Sequence, residues 1–380
     1  KAVGAEEVIR VLGASKIVLR LVAALFAGSA IVVAAAAWRL SEGPISVGFL
    51  SPYIKESLTF GGTDVDIALK DTVLAWRGFD RGLDIVVLDL EVLDGVGATV
   101  AIVPELAIGL DTSRLRAGDF VPTTVDVVGA TFKVRRAADG QLEIGVGGDR
   151  GNSEAIFAFL RGLTLAPDAR RVGAALRRVS VTEATLTFED LQRGVVWHLP
   201  KADLILNRDA AGLSGDLVFD LDLGNKPTRF VATAEFDYVG RVATVAVDFV
   251  DLNPQRLAEK DEALVELGRL QLPVSGRIDM AITDQGQFDT VDFDIRGKIG
   301  ALDLAPVFAA PSKVSAMAAQ GSLDIANRAL LFNELVLERD AARAALVGLI
   351  VAEDDGPRVT LNGRIEGFTP TQIDEYWPTA

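Results

Sequence analysis

A chain of 380 residues with a net charge of −15, a mean hydropathy of +0.31 and no cysteine excludes several classes at once. The acidic balance argues against nucleic acid, whose phosphates need a concentrated Lys/Arg surface, and against lying flat on anionic lipid. Without cysteine there are no disulfides, no thiol catalysis and no thiolate-bound metal, and the hydropathy fits one apolar segment plus a greasy remainder better than several membrane spans.

The chain opens on Lys1 rather than Met and reads as a piece of a longer protein. Residues 1–20 carry a local charge of +2 and everything after them −17. Residues 21–38 (LVAALFAGSAIVVAAAAW) run for 18 positions without a charge. About 20 apolar residues cross a bilayer core of roughly 30 Å, so a transmembrane helix is predicted over 17–40. Leu21 and Phe26 would sit in hydrocarbon, Arg20 would snorkel to the headgroups, and Trp38 stands where an interfacial aromatic belongs. A cleaved signal peptide ending near residues 34–37 is the alternative, but its apolar stretch would be shorter. The basic residues ahead of the helix place 1–16 in the cytoplasm and the body on the far side of the membrane. Residues 41–58 follow, with Val47, Leu50, Ile54 and Leu58 at helical spacing, a predicted amphipathic helix beside the membrane.

From residue 63 the dominant period becomes two. In residues 213–223 (LSGDLVFDLDL), Leu217, Phe219, Leu221 and Leu223 point one way and Asp216, Asp220 and Asp222 the other. Similar ribbons lie at 231–238, 242–250, 277–282, 291–295, 323–325 and 359–365. Earlier runs at 83–93, 99–103, 106–110 and 125–134 are apolar on both sides, which predicts burial of both faces. Short turns separate these runs, so about 20 strands joined as hairpins are expected, in a largely antiparallel sheet. Helical interruptions are predicted at 113–118, at 152–162 with 167–178, and at 254–267, the last with Asn253 as N-cap and Pro254 at the first helical position. The flexible stretch 145–153 (GVGGDRGNS) suggests a first β unit at 59–146, a linker and helix pair at 147–178, and a second β unit at 179–380.

Catalytic constellations are missing from the sequence. His198 is the single histidine, in the strand-like VVWHLP, and a base needs a neighbouring nucleophile and an orienting group. Zinc sites built from His and Cys are ruled out by their numbers. Most carboxylates, such as Asp216, Asp220, Asp292 and Asp294, alternate along strands as a solvated face would. Asp64 and Asp66 form a conceivable loop calcium pair without an EF-hand pattern, and neither the nucleophile-elbow nor the P-loop motif occurs. No enzyme and no cofactor are expected.

Residues 83–144 carry a particular outline. One strand ends at Asp94-Gly95, a second runs through Pro104-Glu105, and residues 106–110 lead into a short helical turn at 113–117. Pro122 then opens an extended run to Gly129-Ala130, and a last strand closes at Asp139-Gly140. This outline, with TVLAW at 72–76, the single N-terminal helix and PTQIDEYWP at 370–378, resembles the N-terminal portion of the AsmA-like family, in particular its YhdP-type bridge-like members. The resemblance implies an elongated, groove-like (taco-shaped) β-sheet after an N-terminal transmembrane helix, mainly β with a few short helices. It also implies a periplasmic conduit, anchored in a bacterial inner membrane, that shields phospholipid acyl chains between inner and outer membranes. The pattern nominates Leu217, Phe219, Leu221, Phe236, Val245, Val247, Phe249, Ile278, Met280, Ile282, Phe293 and Ile295 as groove lining. The expected partners are phospholipid, the inner membrane, and other envelope proteins or further copies. A non-catalytic assembly factor of an envelope complex, its groove closed or filled by protein, is the alternative.

Overall fold

Strands and their pairing dominate the computed structural model, which describes residues 38–39, 43, 45–48, 66–76, 83–93, 99–111, 114, 121–140, 142–145, 162–166, 175–224, 226–283, 290–303, 305, 310–353 and 356–367. The first strands are β1 (Ile45–Ser46), β2 (Asp66–Ala68), β3 (Asp71–Trp76), β4 (Leu83–Leu93), β5 (Thr99–Leu110), β6 (Pro122–Val128), β7 (Thr131–Arg136) and β8 (Leu142–Gly145). They are followed by β9 (Arg178–Asp190), β10 (Val195–Arg208), β11 (Gly212–Leu221), β12 (Thr228–Asp237), β13 (Val242–Leu252), β14 (Leu270–Gln271) and β15 (Val274–Thr283). The last are β16 (Thr290–Gly297), β17 (Gly300–Leu302), β18 (Ser312–Val314), β19 (Ala316–Asp324), β20 (Ala329–Arg339), β21 (Ala342–Glu353) and β22 (Gly356–Glu366). Nineteen strands form one sheet; β14, β17 and β18 form a small second one.

From β9 to β22 the large sheet is an antiparallel meander in which each strand pairs with the one before it, the small-sheet strands apart. The two predicted β units are not separate sheets. β6 and β7 both lie parallel to β9, β6 along its first half and β7 along its second. The break between them is Gly129-Ala130, where Gly129 has φ +70°. Pro104 sits against that glycine, inside what the sequence suggested were two runs and the structure makes one strand, β5. A proline lacks a ladder donor, and it is tolerated in an interior strand because the neighbouring strand is interrupted there.

Other expectations shift by local chemistry. Residues 45–46 are strand rather than the start of a helix, paired with β3, and residues 49–58 lie outside the described residues. Arg178, expected to end a helix, opens β9. The helix predicted over 254–267 is α1 (Pro254–Lys260) followed by a 3₁₀ helix (Glu262–Arg269), divided at Asp261. Asn253 Oδ1 accepts from Gln255 N at 3.1 Å, as an N-cap should, and Asp261 Oδ1 restarts the chain by accepting from Ala263 N at 2.9 Å. Among the described residues no helix is long and apolar enough to cross a membrane; the predicted span, with Arg20, Leu21 and Phe26, lies outside them, and Trp38 is 70% exposed.

Candidate functional site: a continuous apolar face

Ladder registers decide which side chains share a face, because successive residues of a strand point to opposite sides. Residues directly paired across neighbouring strands therefore trace rows perpendicular to the strands. One such row begins Val87, Leu106, Val127, Val181 and Leu204. It continues through Leu217, Ala232, Val247, Ile278 and Phe293, and ends with Gly321, Phe332, Gly348 and Leu361. No charged or polar residue interrupts it from β4 to β22. At about 4.8 Å per strand the row is roughly 60 Å long. A second row, two residues along each strand, runs beside it from Ile85, Ile108 and Val125 through Val245 and Met280 to Ile350 and Val359, also without a charge.

All twelve residues nominated from the sequence fall on this face. Leu217, Val247, Ile278 and Phe293 stand in the first row and Val245 and Met280 in the second. Phe219, Phe249 and Ile295 lie in a third row on one side, which Phe219, Phe230 and Phe249 open with paired rings. Phe236 and Ile282 lie at the other margin, each paired across to Ala243 of β13. Leu221 is opposite Thr228 at the end of β11.

Cover divides the face. At one end of the strands Leu221 and Phe249 are buried in a cluster with Leu223, Leu252, Leu272, Val274, Leu302, Val314 and Met317. Phe219, Ile278 and Ile295 pack against it, and so do Leu257 of α1 and Leu270 of β14. The α1–3₁₀ segment and the small sheet thus cap that end with protein. Leu221 and Phe249 are core there rather than lining. Toward the opposite end Leu217, Phe236, Val245, Val247, Met280, Ile282 and Phe293 remain half-buried, with no residue of the cluster over them. Part of that margin, over β9 and β10, is covered by residues 162–165 and 175–176, where Leu163 and Leu176 pack on Val179 and Leu206. Arg208 holds this segment by its carbonyls, donating to Leu165 O at 2.9 Å, Gly162 O at 3.1 Å and Leu176 O at 3.3 Å. Tyr238 Oη donates to Leu163 O at 3.3 Å.

The sheet is not equally wet on its two sides. In β21, Val347 and Leu349 on the far face are 50% and 38% exposed, whereas Leu346 and Ile350 beside them on the apolar face are half-buried. The far face carries the charges: Asp248, Arg277, Asp279, Asp292 and Asp294 occupy adjacent ladder positions. Arg277 donates to Asp248 at 3.1 Å and to Asp279 at 3.0 Å, and the Asp279 bond is the main reason its guanidinium is held above its ordinary value. A hollow of about 530 Å³ opens among these groups, lined by Thr233, Glu235, Thr244, Arg277, Asp279 and Asp292. Its cation is already spoken for by its own neighbours, so it offers no vacant charge to a ligand.

Sequence reasoning missed the glycines. Gly215, Gly276, Gly297, Gly321, Gly348 and Gly363 all sit on the apolar face. A Cβ on Gly321 would lie 1.9 Å from Leu331 O and 2.9 Å from Phe293 Cζ, so neighbouring strands and rings close over these positions as they could over no other residue. Phe293 and Phe332 meet edge-on across Gly321 at 6.0 Å. Their signal, an isolated glycine inside an alternating run, is present in the sequence but names no face by itself.

His198 lies in β10 with its Nδ1 3.3 Å from Thr187 Oγ1. Among the described residues no group of three His, Asp or Glu side chains is placed to hold a metal; Asp64 lies outside them. No protein-family model, curated protein or solved structure matches this chain.

Proposed function

We propose that the uncapped part of the apolar face holds phospholipid acyl chains, and that the chain is a non-catalytic lipid conduit of a bacterial envelope. In this reading the segment 17–40 anchors it in the inner membrane, with the sheet in the periplasm. The observation that carries the proposal is the pair of uncharged rows that cross the large sheet from β4 to β22, whose stretch at Val245, Val247 and Met280 belongs to no buried cluster among the described residues. Such a face has to be covered. Lipid tails are a sufficient cover, since each buried methylene contributes about 0.8 kcal/mol. The likeness to AsmA-like proteins points the same way. A row of roughly 60 Å is short for an envelope, so the chain would serve as one section of a longer path.

Placing a photoreactive benzophenone amino acid at Met280, on the apolar face, or at Asp279, next to it on the far face, tests this in irradiated bacterial cells. Phospholipid should be covalently captured at position 280 and not at 279. Capture of a protein alone at 280 would replace the lipid reading with the assembly-factor one, and equal lipid capture at both positions would deny the apolar face any special part.

A further inference from the structure

The two margins of the large sheet are built differently. Toward the N-terminal margin the strands shorten, from twelve residues in β5 and eleven in β4 to six in β3, three in β2 and two in β1. A short edge offers little backbone to another chain. β22 at the opposite margin keeps eleven residues, and among the described residues it pairs only with β21. Its ladder is unbroken by any bulge. No charge points to its apolar side, where Val359, Leu361 and Ile365 are 54%, 38% and 62% exposed. Its proline is confined to the second position, Pro357. Its charges, Arg358, Arg364 and Glu366, stand only on its polar side, so a bulge and an inward-pointing charge, two devices that blunt an edge strand, are absent from it.

We propose that β22 pairs with β22 of a second copy of this chain, antiparallel about a twofold axis at Asn362, so that one sheet runs through both chains with their apolar faces on the same side. In this register Arg358 stands opposite Glu366, Val359 opposite Ile365 and Leu361 opposite Gly363, each contact occurring twice. Moving the axis one residue, to Leu361, would set Arg358 against Arg364. Arg358 now bonds Glu353 and Arg364 bonds Glu366, both at 2.8 Å. Both arginines are largely exposed, and such surface pairs are exchanged at little cost.

Gly363 favours the same axis. Inside the sheet, most glycines of the apolar face have a large apolar residue on both sides, Gly215 excepted, which lies between Leu206 and Ala234. Gly276 lies between Phe249 and Ile295, Gly321 between Phe293 and Phe332, and Gly348 between Phe332 and Leu361. Gly363 has Leu346 on one side; a twofold at Asn362 supplies Leu361 of the second copy on the other. The pairing is independent of what the apolar face holds.

The chain contains no cysteine, so Asn362→Cys gives it a single thiol, on the polar side of an exposed strand. Oxidation of the full chain in detergent micelles should trap most of Asn362→Cys as a disulfide dimer, because residue 362 faces its own copy. Thr360→Cys alone should form no disulfide, since its partner position is 364, and it should crosslink when mixed with Arg364→Cys. Leu361→Lys should convert the dimer to a monomer by light scattering while its far-UV circular dichroism keeps the strand signal of the wild type. The proposal is overturned by a monomeric wild-type chain, or by equal crosslinking from Thr360→Cys alone. It is equally overturned by a monomeric Asn362→Cys that forms an intramolecular disulfide with a second cysteine placed within residues 368–380, which would make that segment the occupant of the edge.

Discussion

The two ends of the apolar face share strands, residue types and register, yet they differ in what covers them. At the capped end Phe219, Phe230 and Phe249 run ring to ring under α1 and the small sheet, and Phe249 and Leu221 have become protein core. At the opposite end Val245, Met280 and Ile282 stand at equivalent ladder positions and remain half-buried. Alternation along a strand therefore states that a side chain points to the apolar side, and says nothing about whether protein or something else meets it there. The candidate site is what remains of the face after the cap has taken its share.

Stability measurements can break this comparison. Phe249→Ala removes a ring from a packed cluster and should cost about 3–5 kcal/mol in urea unfolding. Met280→Ala removes a half-exposed side chain and should cost about 1 kcal/mol or less. Equal costs would mean that the open end is packed by protein after all. Between these lies Gly321→Ala, whose Cβ would meet Leu331 O at 1.9 Å; overpacking of this kind should cost about 1–3 kcal/mol.

Two smaller effects sharpen it. Asp261 is buried, caps the 3₁₀ helix and accepts from Arg193 Nη1 at 2.9 Å, which ties the cap to the β9–β10 turn. Asp261→Ala should cost about 1 kcal/mol and speed amide hydrogen exchange in α1 and β17 while leaving β21 unchanged. Faster exchange throughout the sheet would show that the cap and the open end are one cooperative unit. The smallest effect is at the β7–β9 junction, where Glu189 accepts from Lys133 at 2.6 Å and from Arg135 at 3.1 Å. The Lys133 bond is the main reason that the Glu189 carboxyl is held below its ordinary value of 4.5, against the opposing effect of desolvation. Because the folded value is lowered, the stabilisation is complete above 4.5 and is lost as pH falls through the folded value. The melting temperature should drop in acid, and Glu189→Gln should lower it at neutral pH while flattening its acid dependence. An unchanged acid dependence in that variant would assign the loss to other carboxylates.

By itself the sequence determined the β class, the hairpin connections and the apolar side of most strands. A period of two and short turns are local properties, and the twelve nominated residues do share one face. Asn253 and Pro254 likewise announced α1 through chemistry that acts within a few residues. Tertiary structure decided the rest. β20 needs an extra residue at 333–334 so that Phe332 and Leu335 can point the same way despite their odd spacing, and a bulge is a compromise between strands that neither states alone. The parallel docking of β6 and β7 on β9 joined two units between which the glycine-rich stretch at 145–153 suggested a boundary. Which glycines face inward, and which phenylalanines lie beneath a cap that draws on Leu302 and Val314, depend on contacts distant in the chain. Burial is a property of the neighbours that arrive, and an alternating strand carries no record of them.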